Sequence, residues 1–512
     1  MLTIKNLAII LCLVVCAVSS QAQKITLESV QSLPAHGVQS IIEEGGKVTG
    51  YFIFYKKDMT DKKNDFYGLD LLDAELKPVH SAKITLPFGA IYLQSVYNGS
   101  VFGIMFYNPE KGNYIFIAYD KKLQEAGSRM TERPNEQEKD LLNLMANNDN
   151  RAALFFYYGI RPVPGKGFVR AGYGDADDRY KVRFYDNTFK QKWSKSTPED
   201  AKGYEAFTLS DISTQYITGF TMRKSHSAVE KIETALTVFE VETGKKILDL
   251  PIQKDKEPLA AMAAFLTDDT TKIIVQGEYY DKNTKPGIDK SLGLFFSTYD
   301  LKTKKELNET RCSWIVNYPK LFDEKLKKGI DNKFFNFPHV MHKTSNGHYV
   351  LVFEQFKKAL NAGGLERRVN VGLTEFAQIE TGTIWMLELN EQLKPIAANA
   401  FEQKGRDLRL PLNMDMLGVG FPGAYSKGAN GFCFQHLLQQ NDKSTAICSN
   451  NSYIKGSRGV YSVTLANNDT AQGVTINVPD DAFVICAPAN AVRTMLAQYQ
   501  PSSKQLHLKM VK

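Results

Sequence analysis

The chain has 512 residues, 43% of them hydrophobic and 23% charged, an ordinary globular balance with apolar side chains enough for a large core. That balance excludes a disordered or collagen-like chain. Its 63 basic and 56 acidic residues leave a net charge of +7 without a block of like charges, so no nucleic-acid footprint is written into it.

Residues 1–22 read as a cleavable secretory signal peptide. Lys5 precedes an unbroken apolar run from Leu7 to Val18, and Ser20 and Ala22 occupy the small-residue positions before a polar switch at Gln23. The run is about a dozen residues, against roughly 20 for a helix that crosses a bilayer. Lipid attachment at Cys16 is the competing reading, opposed by Val15 where such signals carry a small residue. The mature chain is expected to start near Gln23, to hold no transmembrane segment, and to be periplasmic, associated with the cell surface or extracellular.

From there the chain reads as repeated hairpins. An alternating apolar strand ends in Asp, Asn or Glu, a short polar turn follows, and Leu or Lys opens the next strand. The copies are LLDAELKPV around Asp73, AYDKKLQEA around Asp120, FYDNTFKQKW around Asp186, VFEVETGKKIL around Glu240, TYDLKTKKEL around Asp300 and LELNEQLKPI around Asn390. A weaker seventh, VTLANNDTAQG, lies near Asn467. Asp and Asn hydrogen-bond the backbone that follows them, and Gly244 suits a left-handed turn position. Further strand-like runs lie between the copies: 51–55, 100–107, 215–222, 272–280 and 348–356. Each unit therefore holds about four short strands, the composition of a propeller blade. The expected fold is all-β: a β-propeller of roughly six to eight four-stranded antiparallel blades, formed by residues 23–512. KITLESV after Ala22 and QLHLKMV at the C-terminal end are both strand-like and could close the ring. An outer-membrane barrel is disfavoured, because strands such as FIFY and TVFEV are apolar on both faces.

Two segments carry helical spacing. Residues 134–148 begin with Pro134 and acidic residues and place Leu141, Leu142 and Met145 on one side; residues 319–331 repeat the scheme with Phe322 and Leu326. Two long loops are expected at 357–383 and 404–430. The second contains GVGFPG from Gly418, which matches a dinucleotide fingerprint literally but carries Pro422 and reads as a glycine-rich loop. His339, His342 and His348 flank a turn and read as turn neighbours rather than metal ligands, and Gly174 to Asp178 reads as a solvated turn rather than a calcium loop. No metal site is assigned.

Once the signal is removed, Cys312, Cys433, Cys448 and Cys486 remain, too few for a disulfide framework in so long a chain. Cys433 and Cys448 flank a hairpin whose turn falls at Asn441 and Asp442, where either a disulfide or two buried thiols fit.

VFEVETGKKIL, with TYDLKTKKEL and FYDNTFKQKW, resembles the repeat of quinoprotein-like β-propellers, whose blades place an acidic residue, a Thr-Gly turn and a Lys before the next strand. The resemblance covers short hairpins and implies a fold, not an activity. Quinoprotein enzymes also use regular tryptophan-bearing docking motifs, whereas Trp193, Trp314 and Trp385 stand in unrelated settings here, so no cofactor is expected.

Nucleophile motifs such as G-x-S-x-G are not found in the sequence. The candidate recognition residues are Arg367, Arg368, Arg406, Asp407, Arg409, Asp415 and Tyr425, since arginine and tyrosine in turn-rich surroundings suit acidic or sugar-like partners. The expected function is a noncatalytic propeller that binds a protein or glycan partner. An exported glycan hydrolase with its site at the central channel is the alternative.

Overall fold

The computed structural model describes residues 24–511 apart from 35, 44–46, 137, 140–141, 143–158, 175–178, 199–202, 225–231, 254–257, 285, 287–288, 318–320, 322–323, 361–376, 402–406, 410–419, 429–431, 433, 441–442, 455–456, 466–481 and 490–492. The signal segment 1–22, the acidic residues 175–178 and the copy near Asn467 lie outside the described residues.

Among the described residues eight antiparallel sheets follow one another along the chain, each built mainly from neighbouring strands. Seven carry a four-strand path; the remaining one, seventh in chain order, has three described strands, Phe434–Gln440, Lys443–Ile454 and Ser457–Leu465. In chain order the blades occupy 30–87, 91–132, 160–196, 204–251, 259–313, 335–409, 434–465 and 483–511. Contacts run from each blade to the next and from the eighth back to the first. This is a β-propeller. The ring closes as expected from the strand-like ends: Lys24–Leu27 pairs with Gln505–Val511, with Lys24 opposite Lys509 and Leu27 opposite Leu506.

The second strand of a blade shows why the sequence is apolar on both faces. Every residue of Phe102–Asn108 is buried, because each face of the sheet packs on an adjacent blade. Separate apolar clusters fill successive boundaries, such as Phe52, Phe54, Tyr67 and Leu69 against Phe102, Ile104 and Phe106.

The repeated Asp or Asn builds one turn again and again. Asp73 Oδ1 accepts from the Glu75 and Lys77 amides, Asp120 from Lys122 and Gln124, Asp186 from Thr188 and Lys190, and Asn390 from Gln392 and Lys394. The residue three places on takes a left-handed backbone in every case: Leu76 at φ 60°, Leu123 at 56°, Phe189 at 60° and Leu393 at 60°. A three-residue hairpin loop with its last residue left-handed favours glycine there. These four are instead large and buried, and each drives its side chain into a boundary core. The copy around Glu240 is longer and does use Gly244, at φ 65°. A β-carbon on Gly244 would stand 2.6 Å from the Trp193 ring of the preceding blade, whose indole N–H donates to Val241 O at 2.7 Å. Trp193 therefore docks one blade onto the turn of the next, a role its sequence setting did not display.

An α-helix, α1, spans Glu324–Asp331 within the expected 319–331 and buries Leu326 and Ile330 beside Trp385. Two local expectations meet a different outcome. In 357–383, residues 357–360 and 377–383 are strand rather than loop, since Tyr349–Leu360 and Ala377–Leu389 pair out to Leu360 and Ala377. In 404–430, Asp407–Arg409 adds a short strand and Gly420–Gly428 forms helix α2, where a loop was expected. Pro422 is tolerated because it falls in the first turn, and the glycines answer to packing. A β-carbon on Gly420 would meet Ala261 O at 2.6 Å, and one on Gly423 would meet the Phe337 ring at 2.4 Å. The helical start at 134–148 is present: Asn135 Oδ1 caps the Glu138 amide at 2.7 Å and Leu142 enters the core, while 143–148 lie outside the described residues.

Candidate functional site at the ring axis

The first strand of each blade faces the axis, and polar side chains there knit neighbouring blades together. Gln39 donates to Ser95 O at 2.6 Å, and Gln94 Oε1 accepts from the Ile160 amide at 2.9 Å. Asp211 Oδ2 accepts from Leu266 N at 2.8 Å; from the second strands of the fifth and sixth blades, Glu278 Oε1 accepts from Asn336 N at 2.8 Å and Glu354 Oε2 from Phe434 N at 3.2 Å. A strand edge left bare at a blade boundary would strand backbone polar groups away from water; Gln94, Asp211, Glu278 and Glu354 supply acceptors for amides and Gln39 a donor for a carbonyl.

Helix α2 lies against the first strands of the fifth and sixth blades. Its Ala424, with Phe432, joins an apolar cluster containing Leu93, Ile160, Ala206, Met262 and Phe337, one from each of five axial strands. Beside this cluster the surroundings turn charged. Lys427 donates to His339 O at 2.8 Å, its one hydrogen bond among the described residues, and its side chain remains exposed. Burial by the surrounding protein, with the Arg161 guanidinium, brings its ammonium down to about 8, and Asp211 partly opposes the shift. Arg161 is itself pulled below its ordinary value by burial. Burial raises the Asp211 carboxyl despite its bonds to the Leu266 and Ile212 amides.

Two histidines stand nearby. His339 is buried, its Nε2 3.3 Å from Glu354 Oε2 and its ring among Phe337, Phe432 and Phe434; burial lowers its pKa, with Glu354 opposing. His36 is lowered to about 4 by burial and by Arg161. The folded protein thus keeps His36 neutral where the unfolded chain, near 6.5, takes up a proton. Its stabilising effect is complete above pH 6.5 and is lost as pH falls toward 4, an expected loss of about 3 kcal/mol. Denaturant melts at pH 7 and pH 4 check this: His36→Gln should lose clearly less stability on acidification than the unaltered protein, and equal losses would assign the acid effect elsewhere.

Of the residues singled out from sequence, Arg367, Arg368, Arg406 and Asp415 lie outside the described residues. Asp407 and Arg409 sit on the short strand Asp407–Arg409, opposite Glu380 and Gln378. Tyr425 belongs to α2, two residues from Lys427. His342 lies opposite Val350 in the strand ladder and His348 Nδ1 meets Glu388 Oε1 at 2.8 Å, so the three histidines do not converge. Among the described residues no group of three or more His, Cys, Asp and Glu is placed to hold a metal ion. Cys448 is paired through its backbone with Phe434, and Cys433 lies outside the described residues; Cys312 and Cys486 are buried and in no disulfide. Among the described residues no helix is long and apolar enough to cross a membrane. Arg161, Asp211, Lys427 and His36 carry no motif in the sequence; the signal that could have found the first two is their place on the opening strand of a blade.

The sheet order and the charged axis define the class: a β-propeller with closure by a strand from the N-terminal side. The chain belongs to the family of unknown function DUF6770, which it matches over residues 2–512. No curated protein matches it. Similar solved structures include the quinohemoprotein alcohol dehydrogenase of Comamonas testosteroni, at 10% identity and TM-score 0.42, covering 96% of this chain and 76% of that one. A structure from an analysis of two prolyl endopeptidases is 7% identical with TM-score 0.39, covering 93% of this chain, which spans 54% of that one. The polysaccharide lyase Uly1 is 9% identical with TM-score 0.34, covering 82% and 90%. Scores this low carry no functional argument, and the fold rests on the chain's own sheet order.

Proposed function

We propose that this protein is an exported, noncatalytic β-propeller that binds a protein or glycan partner at the ring axis. The observation that carries the reading is the exposed residue Lys427, whose ammonium donates to His339 O at 2.8 Å where helix α2 packs on the axial strands of the fifth and sixth blades. Side chains on separate rigid elements keep a fixed geometry without a ligand, which lowers the cost of binding. Export is supported by Lys5, the apolar run and the small residues before Gln23.

The test is a crosslinking pull-down of the C-terminally tagged mature chain from its native exported fraction, with Lys427→Met in parallel. The expected result is one stoichiometric partner or glycan, depleted in the variant, on a chain that begins near Gln23. Recovery of no ligand, together with release of reducing ends from added polysaccharide, would replace binding by glycan hydrolysis.

A further inference from the structure

Strands alternate in direction within a blade, so the hairpin from the second strand to the third and the connection from the fourth strand to the next blade leave on one face of the ring. The turns built on Asp73, Asp120, Asp186 and Asn390 join third strands to fourth and leave on the other. Among the described residues eight large hydrophobic side chains are exposed. Val79, Leu307 and Ile396 lie singly near the start of an outer strand, whereas Met59, Phe88, Leu292, Ile315 and Val316 all belong to the first face. These five form two groups, at the first and the fifth blades, which stand opposite each other in a ring of eight. Scattered apolar residues need no explanation, but their gathering on one face does. We infer that this face docks on an anionic lipid bilayer, its apolar tips entering the headgroup boundary and its lysines meeting the lipid charge.

Built turns hold both groups out. Ile315 and Val316 are 79% and 77% exposed. Their amides donate to Ser313 Oγ at 3.2 and 3.4 Å, and Asn317 Oδ1 accepts from the Ser313 amide at 2.7 Å, so two β-branched residues occupy a turn that ordinarily takes small or polar ones. Leu292 joins them, since its carbonyl accepts from the Trp314 amide at 3.0 Å. Helix α1, whose Leu326 and Ile330 share a cluster with Trp314, adds the exposed Lys327 and Lys328 against Glu324. At the first blade Phe88, 56% exposed, donates its amide to Lys63 O at 2.8 Å, which ties its turn to the hairpin tip that follows Met59. Asp58 pairs there with Lys504 at 2.7 Å and Asp65 with Lys56 at 3.0 Å. Lys57, Lys62, Lys63 and Lys83 then stand against Asp61, four charges against one and an excess of three positive, with Lys83 Nζ 3.8 Å from the Phe66 ring. A protein interface is built around a continuous apolar core. Here the apolar tips are separated by the width of the ring, and a broad anionic surface reaches both.

The test is flotation of the mature protein with vesicles of phosphatidylglycerol and phosphatidylcholine in equal parts, and with phosphatidylcholine alone. Binding to the anionic vesicles is expected, weakening as salt is raised. Ile315→Ser with Val316→Ser, and Met59→Ser with Phe88→Ser, should each lower it about tenfold, because loss of either group leaves attachment at one side only. Lys62→Glu with Lys63→Glu should lower it at least as much. The same charge change on the other face, Lys245→Glu with Lys302→Glu, should leave it unaltered, and thermal melts of all four variants should match the unaltered protein, since the side chains are exposed. Lys427→Met, which tests the axial reading, should also keep vesicle binding. No binding, equal binding to phosphatidylcholine, equal loss from charge reversal on the two faces, or indifference to the apolar pairs would overturn the assignment. So would a protein from the exported fraction, or a dimer in sedimentation, that either apolar pair abolishes, since a partner protein or a second copy would then cover this face.

Discussion

Arg170→Met is expected to destabilise the protein by about 3–5 kcal/mol, because it strips the central cation from a buried ionic network and leaves the Glu138 carboxylate without the guanidinium it bonds. The Arg170 side chain is fully buried and bridges Glu132 Oε1 at 2.5 Å and Glu138 Oε1 at 2.9 Å. Its guanidinium lies over the Tyr114 ring, 4.5 Å from the centroid, while the Tyr185 hydroxyl donates to Glu132 at 2.5 Å and the Tyr114 hydroxyl to Glu138 at 3.3 Å. Burial works against the charge on Arg170, and Glu138 and Glu132 outweigh it. Burial likewise opposes ionisation of Glu132, yet Arg170 and Arg183 hold its carboxyl below the usual range. The network ties the strand Met130–Glu132 and the helical turn after Asn135 to the third blade. Chemical denaturation checks the size, and a double-mutant cycle checks the cause. Adding Glu138→Gln to Arg170→Met should recover part of the loss, since the stranded carboxylate is then neutral. A loss no greater than that of a surface arginine would show the network to be energetically idle.

The architecture was legible because blade chemistry is local. The Asp, the turn and the following strand are consecutive in the sequence, so Asp73, Asp120, Asp186 and Asn390 marked the outer hairpins, and the paired termini marked closure. Doubly apolar second strands such as Phe102–Asn108 separated a stacked ring from a barrel in lipid. The axial site was not legible for the opposite reason. Arg161, Asp211 and Lys427 are separated by some 50 and more than 200 residues, and each looks like an ordinary surface charge until ring closure brings it to the axis. Helix α2 was missed because its glycines suit close approach to the Ala261 carbonyl and the Phe337 ring, while local propensity reads the same glycines as loop. Its sequence is written for the surface it touches rather than for the helix itself.

The turns make a second large prediction, in which the order of two variants is more informative than their size. Phe189 is 1% exposed, stacks on Phe168 at 4.7 Å between centroids and packs against Phe116 at 5.3 Å. Gly103 in the neighbouring blade leaves room for it, since a β-carbon there would stand 2.9 Å from the Phe189 ring. Phe189→Ala should therefore cost about 3–5 kcal/mol through lost burial and the cavity left behind. Its backbone is left-handed, at φ 60°, a conformation that costs a residue with a β-carbon about 1–2 kcal/mol and glycine almost nothing. Phe189→Gly removes the same ring and relieves that strain, so it should be more stable than Phe189→Ala by about 1 kcal/mol, the reverse of the order at an ordinary strand position. Thermal and urea melts of the pair decide it. If alanine proves the more stable of the two, the turn is not held left-handed in solution, and the burial of Leu76, Leu123 and Leu393 must be achieved by a different backbone path from the one their shared φ implies.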